Sequence, residues 1–335
     1  MSDLPLLAVT MGDPAGIGPE VIVKALAAND FSALCRPLVI GDAAVLRQAA
    51  GVCGLDLPLC PVREPEEASW EPGRVVVLDL ANVEPDGWRW GQLSASCGRA
   101  AMEYIHRAMA LVDAGRAHGI VTAPINKEAT SLAGYTELGH MELFGRAYRA
   151  PNQATMLVSG NLRCVHVSTH YSLREALDRI TRERVLARIV TTDEAFRRWG
   201  MARPRIAVSA VNPHGGEGGL LGTEEKEHLE PAVADARARG IAAFGPYPAD
   251  SVYVRAIRGE FDAVVAMFHD QGHIPVKVHG FEESVSVALG LPIVRTSVDH
   301  GTAFDIAGTG RADARSMAEA IRVAAKICAG TWLAS

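Results

Sequence analysis

No apolar run in the 335 residues approaches the roughly 18 needed to span a bilayer, so a membrane protein is excluded as the leading reading. No basic tract breaks a net charge of −6, which argues against a nucleic-acid surface. Small anions would have to bind through local basic clusters. There is no CxxC pair. Cys35, Cys53, Cys60, Cys97, Cys164 and Cys328 are scattered, as expected of reduced thiols and not of a disulfide framework or a cysteine zinc site. The opening "MSDLPLLAVTMGDP" lacks a basic n-region, and we expect neither a secretory nor a transit signal and a cytoplasmic location. Tandem repeats and the dinucleotide fingerprint GxGxxG are also missing. The signal for function must therefore be local.

What is present is a rhythm. Valine-, isoleucine- and leucine-rich runs alternate with helical patterns: "LPLLAVTMG" then "PEVIVKALAA", "RPLVIGD" then "AAVLRQAAG", "RVVVLDL" and "GIVTAPIN" either side of "SCGRAAMEYIHRAMALVDAG". "CVHVST", "PRIAVSAV" and "DAVVAMF" continue it, with helices over "REALDRITRERVLARIVTTDEAFRRWG" and "ADARSMAEAIRVAAKICAG". This is the pattern of βα units in a mostly parallel sheet. The segment 60–74, proline-rich and acidic, reads as a surface loop. A chain of this length exceeds one ordinary core, and two lobes are expected: 1–124 with 291–335, and a central 125–290.

In parallel α/β sheets, ligands sit beyond the carboxyl ends of strands. Three such ends here carry histidine: His170 closes "CVHVSTH", His214 follows in "IAVSAVNPHGGEGG", and His269 ends "DAVVAMFH". Neutral imidazole is the commonest protein ligand for zinc-like metals, and three ligands with an open position describe a catalytic site. Any one alone would be read as an ordinary hydrogen-bonded or surface histidine. His273, His279 and His300 compete, whereas His166, facing away from Thr169 by strand alternation, reads as structural.

Two glycine-rich stretches frame the chain. "MGDPAGIGPEV" turns from a strand into a helix at Pro19, with Glu20 at the positive helix end. "TSVDHGTAFDIAGTGRAD" gathers Asp299, His300, Asp305 and several glycines in a loop that is expensive to order unless it binds something. Lys127, His140, Lys277 and Arg295 lie beside these loops and could hold an anion, though each alone reads as a solvated charge.

"MGDPAGIGPEV", "NPHGGEGG", "GPYPADSVY", "FHDQGHIPVK" and "GLPIVRTSVDHGTAFDIAG" together resemble the 4-hydroxythreonine-4-phosphate dehydrogenase family over essentially the whole chain. The first and last also resemble stretches of isocitrate and isopropylmalate dehydrogenases. The resemblance implies a two-lobed α/β fold of that kind, mostly parallel sheets with the active site in the cleft between lobes, and a homodimer. It implies a divalent metal, zinc first, on His170, His214 and His269, with NAD or NADP beside it, the nucleotide loop carrying Gly301, Asp305 and Gly308. Asp250 and Lys277 take catalytic roles by the same resemblance. Substrate contacts fall on His140, Met141, Lys277, Ser286 and Arg295.

Two of these depart from the family pattern. Met141 stands where the vitamin-pathway enzyme has threonine, and Ser286 where it has asparagine. A thioether donates no hydrogen bond to a phosphate dianion. Glu282 and Glu283 add nearby negative charge. These departures, and segments similar to catabolic paralogues, lead to the expectation of metal- and NAD(P)-dependent oxidation and decarboxylation of a β-hydroxy acid. Its substrate is expected to be a carboxylated cis-dihydrodiol such as that of terephthalate, with 4-hydroxythreonine-4-phosphate or a related phosphorylated hydroxy acid as the alternative. A zinc hydrolase is the remoter rival, since three histidines and an acid suffice to activate water.

Overall fold

The computed structural model describes residues 4–137 and 139–333. Along the chain run β1 (Leu6–Thr10), α1 (Gly18–Ala28), β2 (Arg36–Gly41), α2 (Ala43–Val52), β3 (Leu59–Val62), β4 (Val75–Asp79), α3 (Ala95–Asp113), β5 (Gly119–Thr122), α4 (Lys127–Leu132) and α5 (His140–Ala147). Then come β6 (Ala154–Ser159), β7 (Leu162–His166), α6 (Leu173–Asp178), α7 (Arg182–Arg198), β8 (Ile206–Ser209), α8 (Glu230–Ala238), β9 (Ala243–Tyr247), α9 (Ala249–Ile257), β10 (Ala263–Ala266), α10 (His269–Gly280) and β11 (Val285–Leu289). β12 (Val294–Val298) and α11 (Arg315–Cys328) complete it. None of the described helices is long and apolar enough to cross a membrane.

The chain divides into two compact units, one up to Arg146 with Pro292–Trp332, the other Ala147–Leu291. The first crossing falls later than the expected 124, because α4 packs on α3. A Cβ on Gly98 of α3 would lie 2.2 Å from Ala129 O of α4, so the bare glycine lets the two backbones meet.

In the first unit six strands are ordered β3-β4-β2-β1-β5-β12, all parallel. Strands covered on both faces read as continuous apolar runs, and all five residues of β1, LLAVT, are buried. Helix starts are set locally. Asp42 caps α2 by accepting from Ala44 N (2.9 Å) and Val45 N (3.1 Å). Asn126 caps α4 through Glu128 N (2.9 Å) and Ala129 N (3.0 Å). The segment 60–74 is not all loop, since β3 and a 3₁₀ turn at Pro65–Glu67 occupy its start.

The second unit orders its strands β11-β6-β7-β10-β8-β9. β7, β10, β8 and β9 are parallel, whereas β6 runs antiparallel to both β7 and β11. Successive residues of β10 feed two cores: Val265 packs with Ile189, Leu229 and Met267, Val264 with Leu157, Tyr253 and Val276. The helical stretch after His170 is broken into α6 and α7. Thr181 starts the second helix by accepting from Arg184 N (3.4 Å).

Candidate active site

Three adjacent parallel strands of the second unit, β7, β10 and β8, each release a histidine beyond their carboxyl ends: His170, His269 and His214. Two of the three come together. The rings of His170 and His269 lie with centroids 5.9 Å apart and line a pocket of about 410 Å³ with Thr169, Tyr171, Phe268 and Asp270. His269 Nδ1 is 2.7 Å from Asp270 Oδ1, which leaves Nε2 for a ligand.

His214 follows β8 in the turn Pro213–Gly219. No group of three or more His, Cys, Asp or Glu among the described residues is placed to share one ion. Within that turn His214 to Gly218 all have positive φ (54, 68, 76, 43 and 67°). That left-handed path leaves His214 exposed. The root of the turn is fixed: the Glu225 carboxylate, 2% exposed, accepts from Val211 N (2.8 Å), Asn212 N (2.8 Å) and Asn212 Nδ2 (2.9 Å). As a test of the expected metal, His170 and His269 offer two imidazole donors to one pocket, and His214 stands exposed in the turn after β8.

Gln271 ties these loops together. Its Oε1 accepts from Met267 N and its Nε2 donates to Ala210 O, both at 2.7 Å, joining the end of β10 to the loop after β8. His166, read as structural, is buried, and burial pushes its pKa down to about 3. Asp250 is exposed in the first turn of α9. Lys277 lies in the last turn of α10 with Nζ 5.2 Å from the Phe281 ring centroid, and Ser286 lies on β11.

The first unit holds a second cluster at its strand ends. Arg295 of β12 is 3% exposed; its Nη2 donates to Thr122 Oγ1 (2.5 Å) and its Nη1 to Met141 Sδ (3.8 Å). Thr122 passes its own proton to Ser297 Oγ at 2.9 Å. Phe144, on α5 with His140 and Met141, sets its ring centroid 5.7 Å from the Arg295 guanidinium carbon. Burial alone pushes the Arg295 pKa down to about 9, with no carboxylate acting on it among the described residues, so it remains a cation at neutral pH.

Neighbouring groups reinforce the positive field. Burial, then Arg295 and Lys127, hold the His140 pKa well below its usual value. Arg295 Nε and His140 Nε2 are both buried with no hydrogen-bond partner among the described residues. One ring nitrogen and one guanidinium nitrogen, with no carboxylate acting on either among the described residues, make a receptor for an anion.

Opposite this pocket in sequence, the glycine loop after β12 packs on the β1–α1 turn. Ile17 N donates to Thr302 O (3.0 Å), Gly308 N to Glu20 Oε1 (2.6 Å), and Lys24 Nζ to Gly310 O (2.8 Å) and Ala312 O (2.6 Å). Gly308 has φ +78°, and a Cβ there would lie 2.4 Å from Trp90 Cγ. Gly301 and Asp305 are exposed.

Sequence reasoning did not single out Thr122, Asp13, Gln271 or Glu225. Asp13, 1% exposed, accepts from Ala15 N (2.8 Å) through Oδ1, and the Asn126 backbone also acts on its carboxylate. Burial raises its pKa to about 6. The available signal was position alone, since Asp13 and Thr122 both stand at strand ends.

Parallel-sheet units that gather polar side chains at the carboxyl ends of their strands define an α/β protein with ligand sites of the strand-end type. Within that class, the chain belongs to the family of the pyridoxal phosphate biosynthetic protein PdxA, whose model matches residues 33–324. It is 49% identical over 329 residues to a D-threonate 4-phosphate dehydrogenase of Cupriavidus necator, 98% of each chain being covered. The fold is similar to that of a 4-hydroxythreonine-4-phosphate dehydrogenase from Klebsiella pneumoniae, with TM-score 0.91 and 44% identity over 97% of this chain and 98% of that one. A terephthalate 1,2-cis-dihydrodiol dehydrogenase from Burkholderia xenovorans LB400 is more distant, with TM-score 0.66 and 30% identity over 96% and 98%.

Proposed function

We propose that the chain is a dehydrogenase that oxidises the hydroxyl β to a carboxylate in a small phosphorylated hydroxy acid. NAD or NADP takes the hydride, the hydroxyl proton passes to a base, and the resulting β-keto acid loses carbon dioxide. The observation that carries the phosphate is Arg295, a buried cation with an unpartnered Nε and no carboxylate among the described residues. A phosphate oxygen would accept from Arg295 and from His140, with Lys127 adding charge. The relatives named for phosphorylated threonate and hydroxythreonine support the same substrate class.

The carboxylated cis-dihydrodiol favoured on sequence receives less support. Met141 does lack a donor, but its sulfur seats the guanidinium that supplies the donors. The dihydrodiol-named neighbour is also the more distant of the two solved structures. Hydride chemistry is preferred to zinc hydrolysis because the relatives are named dehydrogenases.

The other expected roles remain part of this proposal: Lys277 and Asp250 in proton transfer, Lys277 and Ser286 in substrate contact, Gly301, Asp305 and Gly308 in holding the nucleotide. A divalent cation such as zinc would be held by His170, His214 and His269, and it would supply Lewis-acid chemistry at the substrate oxygen. A homodimer fits the exposed apolar side chains of Ile274, Val278 and Phe281 (58, 83 and 63% exposed), spaced along α10 and its end. Purified protein offered D-threonate 4-phosphate, 4-hydroxythreonine-4-phosphate and terephthalate dihydrodiol with each nucleotide tests the reading. Reduced nucleotide and carbon dioxide should appear together with a phosphate ester; turnover confined to the dihydrodiol would overturn it.

A further inference from the structure

α10 opens with His269 and brings His273 to the same side one turn later. The two imidazoles stack, centroids 3.6 Å apart and planes 12° from parallel. Beneath them β7 ends in His166, 3% exposed, with Nε2 3.1 Å from His273 Nδ1. His273 Nδ1 is also 3.0 Å from His269 O. One N–H shared between that carbonyl and a ring nitrogen satisfies both distances: His273 donates from Nδ1, and His166 accepts at Nε2.

This tautomer puts the His166 proton on Nδ1, on the side of the Thr155 backbone. The backbone also yields to the contact. A Cβ on Gly272 would lie 2.3 Å from His166 Nε2 and 3.0 Å from the Ala266 Cβ. A histidine that merely filled a hole would need neither the glycine nor a second imidazole above it.

We infer that His166 and His273 are positioning residues for His269: a buried ring holds a second ring by a hydrogen bond, and the second fixes the plane of the third by stacking. Asp270 holds the Nδ1 edge of His269, so the two supports together aim Nε2 at the pocket shared with His170. Outer partners of this kind set the orientation of ligand imidazoles. The inference rests on the proposed function in placing His269 at the working site.

The test uses His273→Leu, His166→Leu, the double variant, and His273→Phe, which keeps a stacked ring without nitrogens. Near-ultraviolet circular dichroism confirms the fold of each. Loss of the support should lower kcat about ten-fold in His273→Leu while KM stays within roughly two-fold, and His273→Phe should recover most of it. In ¹⁵N-histidine-labelled protein, with His269 assigned through His269→Gln, its imidazole signal should be sharp in the wild type and shifted or broadened in both leucine variants. An unchanged His269 signal and unchanged kcat in the double variant would show the pair to be packing and end the proposal. Altered His269 signals in a protein that turns over no phosphorylated hydroxy acid would uphold the positioning role and reject the function instead.

Discussion

Arg295 stands opposite Ile120 in the β12–β5 register, yet its Nη2 reaches Thr122 Oγ1, 2.5 Å away and nearer the carboxyl ends of the strands. The guanidinium therefore leans out of its own row toward α5, which supplies His140 and Met141. Thr122 uses one Arg295 nitrogen as an anchor and leaves Nε for a ligand. Lysine cannot reproduce both the anchor and the fork. Arg295→Lys should raise KM for the phosphorylated substrate about 10- to 100-fold, the equivalent of about 1.5–3 kcal/mol for a lost charged hydrogen bond. Steady-state kinetics check this, and a KM unchanged from wild type would remove Arg295 from the binding site.

The same pocket predicts a response to inorganic phosphate alone. A ligand that binds only the folded state stabilises it by about 2.7 kcal/mol at a hundred times its Kd. Phosphate should raise the thermal midpoint of the wild type in a concentration-dependent way and leave Arg295→Gln unmoved. Equal shifts in both proteins would mean that phosphate acts elsewhere.

Asp13 gives a pH-dependent prediction whose sign follows from burial. Its folded pKa is raised to about 6 from 3.8. The folded state therefore holds the proton more tightly, and the stability this contributes is complete below 3.8 and lost as pH rises through about 6. Asp13→Asn keeps an oxygen for Ala15 N and removes the charge. It should be more stable than wild type at pH 8 by at most roughly 3 kcal/mol, and nearly equal to it at pH 4. Urea midpoints at the two pH values decide; a gain that is the same at both would place the effect outside ionisation.

Much of this was legible because parallel strands covered on both faces advertise themselves. β1, β2, β4, β5, β8 and β10 fall within the apolar runs and β7 overlaps one, and strand-end logic leads to the expectation that His170, His214 and His269 are ligands. The antiparallel strands β6 and β11 were not recognised. Gly160-Asn161, with Gly160 at φ +55°, is a two-residue hairpin turn that joins β6 to β7 and is the signal available for it. The five successive left-handed residues that carry His214 could not be read either. Met141 shows a different limit: composition says that a donor is missing, but only geometry shows the sulfur accepting from Arg295.

A substitution at Gly308 tests the proposed nucleotide loop apart from the proposed phosphate pocket. The glycine's φ of +78° is one that a side chain tolerates poorly, and a Cβ would meet Trp90 Cγ at 2.4 Å. Trp90 is itself packed edge-on against the buried Trp88, centroids 4.7 Å apart, which limits its room to retreat. Gly308→Ala must then displace the loop, and the 2.6 Å bond from Gly308 N to the buried Glu20 is the first contact to be lost. Lys24 still grips the loop further on at Gly310 and Ala312, so the damage should stay local. The expected result is a KM for the nicotinamide nucleotide raised about ten-fold or more, from an effect of about 1.4 kcal/mol or above, while the phosphate-induced thermal shift is retained. Loss of the phosphate shift along with nucleotide affinity would show instead that the loop and the Arg295 pocket form one mechanical unit.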